Sequence, residues 1–150
     1  MKILMVCLGN ICRSPLAEGI LQKLIDEQKL GWSVDSAGTS GWHQGEAPDP
    51  RSIEVAFKNG IPIAQQKSRM FTVQDFTRFD LILAMDQQNY NNIIRMAPNQ
   101  AMEAKVKMIL NYSYPGENRQ VPDPYYEGGF DYVFELLNEA CEKLIESLVI

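Results

Sequence analysis

Val6-Cys7-Leu8-Gly9-Asn10-Ile11-Cys12-Arg13-Ser14-Pro15 joins two stretches of different hydrophobic pattern, and that junction decides the fold. Ahead of it, Ile3, Leu4, Met5 and Val6 form an unbroken apolar run, which predicts a buried strand over Lys2–Val6. Behind it, Ser14 and Pro15 pair an N-cap residue with a first-turn proline. Leu16, Ala17, Ile20, Leu21, Leu24 and Ile25 then recur at helical spacing, which predicts a helix over Pro15–Gln28 with one apolar face. The junction is a strand-to-helix loop.

Such a loop suits an anion. The unpaired amides of a helix's first turn carry partial positive charge, and the preceding loop can aim its own N–H groups at the same point. Gly9 is expected to give the backbone the freedom to curl into that nest. Leu8, Gly9, Asn10, Ile11, Cys12, Arg13 and Ser14 would line it, and the Arg13 fork matches two oxygens of a tetrahedral oxyanion. Such a field lowers a thiol's pKa and favours the thiolate, so Cys7 is expected to be a nucleophile facing a bound phosphoryl group. Taken singly, Cys7 suits a small hydrophobe, Arg13 a surface charge and Ser14 a helix cap. Together, at this spacing, they describe a phosphate site. A nucleotide-type phosphate loop is excluded, since no Gly-Lys-Ser/Thr follows.

The rest of the chain supports one α/β domain spanning 1–150, with 45% hydrophobic residues and no repeat or low-complexity tract. Further strands are predicted over Trp32–Ser36, Asp80–Ala84 and Lys105–Leu110. Helices are predicted over Pro50–Asn59, Gln87–Ala97 and Gly129–Leu148. This alternation implies a four-stranded, twisted parallel sheet with helices on both faces. Ligands bind such sheets at the carboxyl ends of the strands, where Cys7, Ser36, Asp86 and the Asp123 loop would meet.

Asp123 lies between Pro122 and Pro124, which stiffen the backbone on both sides. A carboxyl held this way can protonate a leaving oxygen, although Asp-Pro also commonly begins a turn. A net charge of −5 disfavours nucleic acid as a partner. No apolar stretch is long enough to span a bilayer, and no signal peptide precedes the first strand. Three Cys and one His are too few for a structural zinc site and fit a reducing, cytoplasmic setting. Cys141 falls on the stripe Phe134, Leu137, Leu144, Ile145 and Leu148 and is expected in the core, and His43 is expected at the surface or the substrate rim.

Cys7 to Ser14 has the C-x5-R-S form of the cysteine-dependent phosphatases, and its place at the amino end resembles the low-molecular-weight protein tyrosine phosphatases. Asp35-Ser36-Ala37-Gly38-Thr39, Gly41-Trp42-His43, Asp49-Pro50-Arg51, Ser68-Arg69, Phe79-Asp80 with Ala84-Met85-Asp86, and Val121-Pro122-Asp123-Pro124-Tyr125-Tyr126 follow in that family's order. The resemblance implies hydrolysis of phosphotyrosine and aryl phosphates through a cysteinyl-phosphate, without metal or other cofactor. In it Cys7 is the nucleophile, Arg13 binds the phosphoryl group, and Asp123 is general acid and then base. It further implies that Ser14 donates toward the thiolate, that Ser36 helps Asn10 hold the loop, and that Asp86 braces Arg13, although Asp86 also suits the N-cap of the next helix.

Trp42 and Tyr125 correspond to the family's aromatic walls, with Tyr126 beside them, and the implied partners are phosphotyrosine proteins or peptides. The family's tyrosine phosphatases carry Ile where this chain has Ile11, whereas its protein-arginine phosphatases carry Thr. Arginine phosphatase is therefore one alternative. Another is a thiol-dependent arsenate reductase, disfavoured because Asp80 to Ala97 holds no resolving cysteine. Cys7 and Cys12 form a reversible disulfide under peroxide in the family. One departure is Gln66, standing where many members have a His that helps hold the phosphate-loop Asn; an amide can still donate a hydrogen bond, so the exchange is expected to tune loop stiffness and leave activity in place.

Overall fold

Four parallel strands lie in the order β2-β1-β3-β4, namely β1 (Lys2–Cys7), β2 (Ser33–Gly38), β3 (Leu81–Ala84) and β4 (Val106–Met108). This computed structural model describes residues 1–149. Cys7 pairs with Gly38, and Val6 with Ala84, so β1 sits centrally with its carboxyl end between two neighbours. The connection out of β1 leads to one side, to β2, and the chain then crosses to β3 on the other. Diverging connections open a crevice at the carboxyl ends of the strands.

Alternation along β1 and β3 sends side chains to two cores. Ile3, Met5, Leu81 and Leu83 pack beneath α1 (Arg13–Glu27), α2 (Pro50–Lys58) and α7 (Phe130–Leu148). Leu4, Val6, Ile82 and Ala84 face the opposite way and join Phe71, Phe76 of α3 (Asp75–Arg78) and Ile93 of α4 (Gln87–Met96). Two short helices complete the chain, α5 (Gln100–Glu103) and α6 (Pro124–Glu127). Leu4, Leu83 and Ile20 are fully or almost fully buried, and cutting any one to Ala should cost about 2–5 kcal/mol. Cys141 lies in the first core, as its stripe predicts.

Several boundaries differ from the sequence expectations for local reasons. The first helix begins at Arg13, with Cys12 at the N-cap position and no side-chain cap. Ser14 is not the cap. It lies inside the first turn, and its hydroxyl faces Cys7 and Asn10. Pro15 fits there because first-turn amides have no intrahelical partner to lose. β2 begins after Trp32 and runs on to Gly38 beside β1. β4 ends at Met108, since Met108 pairs with Ala84, the last residue of β3, and Ile109–Asn111 turns into a 3-10 helix. The turns at α3, α5 and α6 are too short to leave a periodic signal.

Candidate active site

The backbone of the loop from Cys7 to Cys12 is held from outside. The carbonyls of Cys7 and Leu8 accept from Thr39 N and Ser40 N, both at 2.9 Å. Gly9 O accepts from Ser68 Oγ at 3.1 Å, Ile11 O from Asp49 N at 2.8 Å, and Cys12 O from Ser52 Oγ at 3.3 Å. The C=O and N–H of a trans peptide point opposite ways, so carbonyls turned outward leave the amides facing inward. One of them, Asn10 N, donates to Cys7 Sγ at 3.3 Å. Gly38 sits hard against this loop: a Cβ there would meet Leu8 O at 2.8 Å.

The left-handed residue of the loop is Asn10, at φ 57°, and Gly9 is not at positive φ. Asn tolerates that conformation when its short side chain is hydrogen-bonded locally. Here Nδ2 donates to Ser14 Oγ at 2.7 Å and Ser36 Oγ at 2.9 Å, while Oδ1 accepts from Arg69 N at 3.0 Å. Ser14 Oγ lies 3.0 Å from Cys7 Sγ, so Ser36, Asn10, Ser14 and Cys7 form one connected chain. It continues past Ser36, whose hydroxyl donates to Glu18 Oε1 at 2.6 Å. Burial pushes the Glu18 carboxyl up to about 7, opposed by the Ser36 bond and Arg69 and reinforced by Asp35. Neither Glu18 nor Arg69 was assigned a role from the sequence. Both hang on side-chain bonds that no spacing rule encodes.

Arg13 is buried, with Nη1 donating to Asp86 Oδ2 at 2.8 Å and to Val121 O at 2.9 Å. Its Nη2 lies 3.6 Å from Asp123 Oδ2. Burial works against the guanidinium charge, but Cys7, Asp86 and Asp123 outweigh it and hold its pKa above the usual value. Both readings of Asp86 hold at once. Oδ2 braces Arg13, and Oδ1 caps α4 by accepting from Asn89 N at 2.7 Å. Asp123 is likewise double: it caps α6 through Tyr125 N at 3.1 Å and turns its other oxygen to Arg13.

These groups meet in a cleft lined by Cys7, Arg13 and Asp123, with Trp42, Tyr125 and Tyr126 as walls. Trp42 is 78% and Tyr126 84% exposed, while Tyr125 is less exposed at 38%, its ring edge-on to Tyr126 at 4.8 Å. Ile11, Cys12 and His43 also line the cleft, and His43 Nδ1 lies 2.9 Å from Glu46. Burial and the neighbouring Asp49 and Cys7 push the Cys12 thiol up to about 12. Gln66 Nε2 donates to Pro15 O at 3.1 Å, not to Asn10, and its buried Oε1 has no partner among the described residues. The loop Asn is held instead by Ser36 and Arg69 N. Such an arrangement can bind a tetrahedral anion, set a sulfur beneath it, and offer a carboxyl at its rim.

The family model described as low molecular weight phosphotyrosine protein phosphatase matches residues 2–149. A Synechocystis sp. protein, whose name provisionally calls it a low molecular weight protein-tyrosine-phosphatase, is 50% identical over 99% of this chain and 96% of its own. The crystal structure of a protein tyrosine phosphatase from Entamoeba histolytica superposes with a TM-score of 0.93 at 39% identity, covering 99% of this chain and 97% of that one. A Drosophila arginine phosphatase superposes with a TM-score of 0.92 at 34% identity, covering 99% of this chain and 98% of that one. The chain belongs to the low molecular weight phosphotyrosine protein phosphatase family.

Proposed function

We propose that the protein hydrolyses phosphotyrosine in proteins, and small aryl phosphates, by way of a phosphorylated Cys7. The observation that carries this is the placement of the Cys7 sulfur in an aromatic-walled cleft, with Arg13 and Asp123 beside it. The phosphoryl oxygens take the inward amides and the free edge of Arg13, which stabilise the equatorial oxygens during transfer. Sulfur attacks phosphorus in line as the bond to the phenolic oxygen breaks, and Asp123 delivers its proton to that oxygen. Asp123 then takes a proton from water as the water oxygen attacks phosphorus, releasing inorganic phosphate and the thiolate. With Cys7 ionised, the Ser14 hydroxyl donates to it.

A phenyl ring bound to that phosphate would lie between Trp42 and Tyr125, where stacking is directional. A second reading, phosphoarginine hydrolysis, is favoured by the likeness to the Drosophila arginine phosphatase. Ile11 in the cleft lining and the aromatic walls favour tyrosine. The expected partners are phosphotyrosine proteins, and three free cysteines support a reducing, cytoplasmic setting. No described helix is long and apolar enough to cross a membrane. Turnover of matched phosphotyrosine and phosphoarginine peptides tests the reading. The first should be cleaved with at least tenfold higher kcat/KM, and Cys7→Ser should abolish cleavage of both. Preferential cleavage of phosphoarginine would overturn it.

A further inference from the structure

The general-acid loop is tied to the protein at surprisingly few points for a segment that must place a proton within hydrogen-bond reach. It enters through Val121 N, which donates to Met85 O at 2.8 Å, and leaves through Gly128 and Gly129, both left-handed at φ 80° and 82°. Bonds within it, Tyr125 N to Asp123 Oδ1 and Gly128 N to Pro124 O, shape it without anchoring it. Arg13 attracts Asp123 from below at 3.6 Å. A phosphoryl group docking on Arg13 competes for that same guanidinium, so this attraction weakens when the acid is needed. Among the described residues, the hydrogen bond that reaches segment 122–128 from outside it comes from Arg51, whose Nη2 donates to Tyr125 O at 3.1 Å.

Arg51 is well placed to hold that bond. Its Nε and Nη2 each lie 3.0 Å from an oxygen of Asp49, a two-point clasp that fixes the plane of the guanidinium. Its Cζ lies 4.6 Å from the centre of the Phe130 ring, just beyond the glycine pair, and 5.8 Å from that of Tyr125. The same Asp49 donates its backbone amide to Ile11 O of the phosphate loop at 2.8 Å. One short connection, Ile11 to Asp49 to Arg51 to Tyr125, therefore spans the two halves of the site.

We infer that Arg51 is a positioning residue for the general acid, holding the Asp123 loop at a fixed distance from the phosphate loop through its clasp on Asp49 and its bond to Tyr125 O. This rests on the assignment of Asp123 as the acid. Loss of Arg51 leaves the phosphate loop and the nucleophile in place but lets the Asp123 carboxyl drift. Poor leaving groups should feel that drift, because they depend on protonation, and good ones should not.

The test compares phenyl phosphate with 4-nitrophenyl phosphate in the wild type, Arg51→Ala, Asp123→Ala and the double variant. Arg51→Ala should lower kcat for phenyl phosphate about tenfold and for the nitro compound less than about threefold. Inhibition by inorganic phosphate should stay unchanged, and Arg51→Ala should add nothing in the Asp123→Ala background. Asp49→Asn keeps a capping side chain for α2 and releases only the clasp, so it should show the same leaving-group bias to a smaller degree. Equal slowing of both substrates by Arg51→Ala, or full additivity with Asp123→Ala, would overturn the role of Arg51 alone. A leaving-group-blind Asp123→Ala would overturn the acid assignment and this inference with it.

Discussion

Asp86 Oδ2 sits 2.8 Å from Arg13 Nη1, while the other oxygen of the same carboxylate caps α4 at Asn89 N. One residue thus fixes Arg13, the arginine proposed to bind phosphate, and starts the helix after β3. Asp86→Asn keeps a capping side chain but removes the charge facing a buried guanidinium. It should destabilise the fold by about 3 kcal/mol in urea denaturation. Steady-state kinetics should show kcat lower by about ten- to a hundredfold, because a misaligned Arg13 serves the transition state poorly. Wild-type kinetics in that variant would separate Asp86 from the site.

Ser14 gives a second prediction, since its hydroxyl faces Cys7 and not the helix end. A hydrogen bond to a charged group contributes about 1.5–3 kcal/mol, so Ser14→Ala should slow aryl phosphate hydrolysis about ten- to a hundredfold. A helix cap would instead cost stability of about 1 kcal/mol and leave kcat alone. Measuring kcat and the urea midpoint on the same preparation distinguishes the two.

Glu18 gives a stability prediction with a definite sign. Its folded-state pKa stands near 7 against a usual 4.5, so the folded protein binds more protons than the unfolded chain between those values. Stability contributed by this group is therefore full below the lower value and is lost as pH rises through the upper one. Glu18→Gln removes the titration. Comparing urea midpoints at about pH 5 and about pH 8, the wild type should lose on the order of 2–3 kcal/mol relative to the variant. Parallel pH profiles would contradict it.

The fold was legible wherever burial imposed a period. The apolar run into Cys7 is read from sequence alone because both faces of β1 are buried, and the stripe Leu16 to Ile25 because it packs one continuous face against the core. Gly9 shows the limit. A glycine in a tight loop invites the left-handed conformation, but Asn10 adopts it, because its side chain is bonded to nearby Ser14 and to Ser36 and Arg69, which are distant in sequence. Gln66 shows the same limit from the other side. Its place in the order of motifs does not reveal that its amide lies against Pro15 O. Arg51 and Glu18 act through a backbone carbonyl and a serine hydroxyl, contacts that carry no compositional signature.

The most direct measurement is rapid acid quenching during turnover of 4-nitrophenyl phosphate by Asp123→Asn, followed by mass analysis of the peptide carrying Cys7. The variant lacks the base that activates water, so the covalent intermediate should accumulate, with one phosphoryl group on Cys7 matching the burst of nitrophenol. A burst with no phosphorylated Cys7, or with the phosphoryl group on another side chain, would contradict the account.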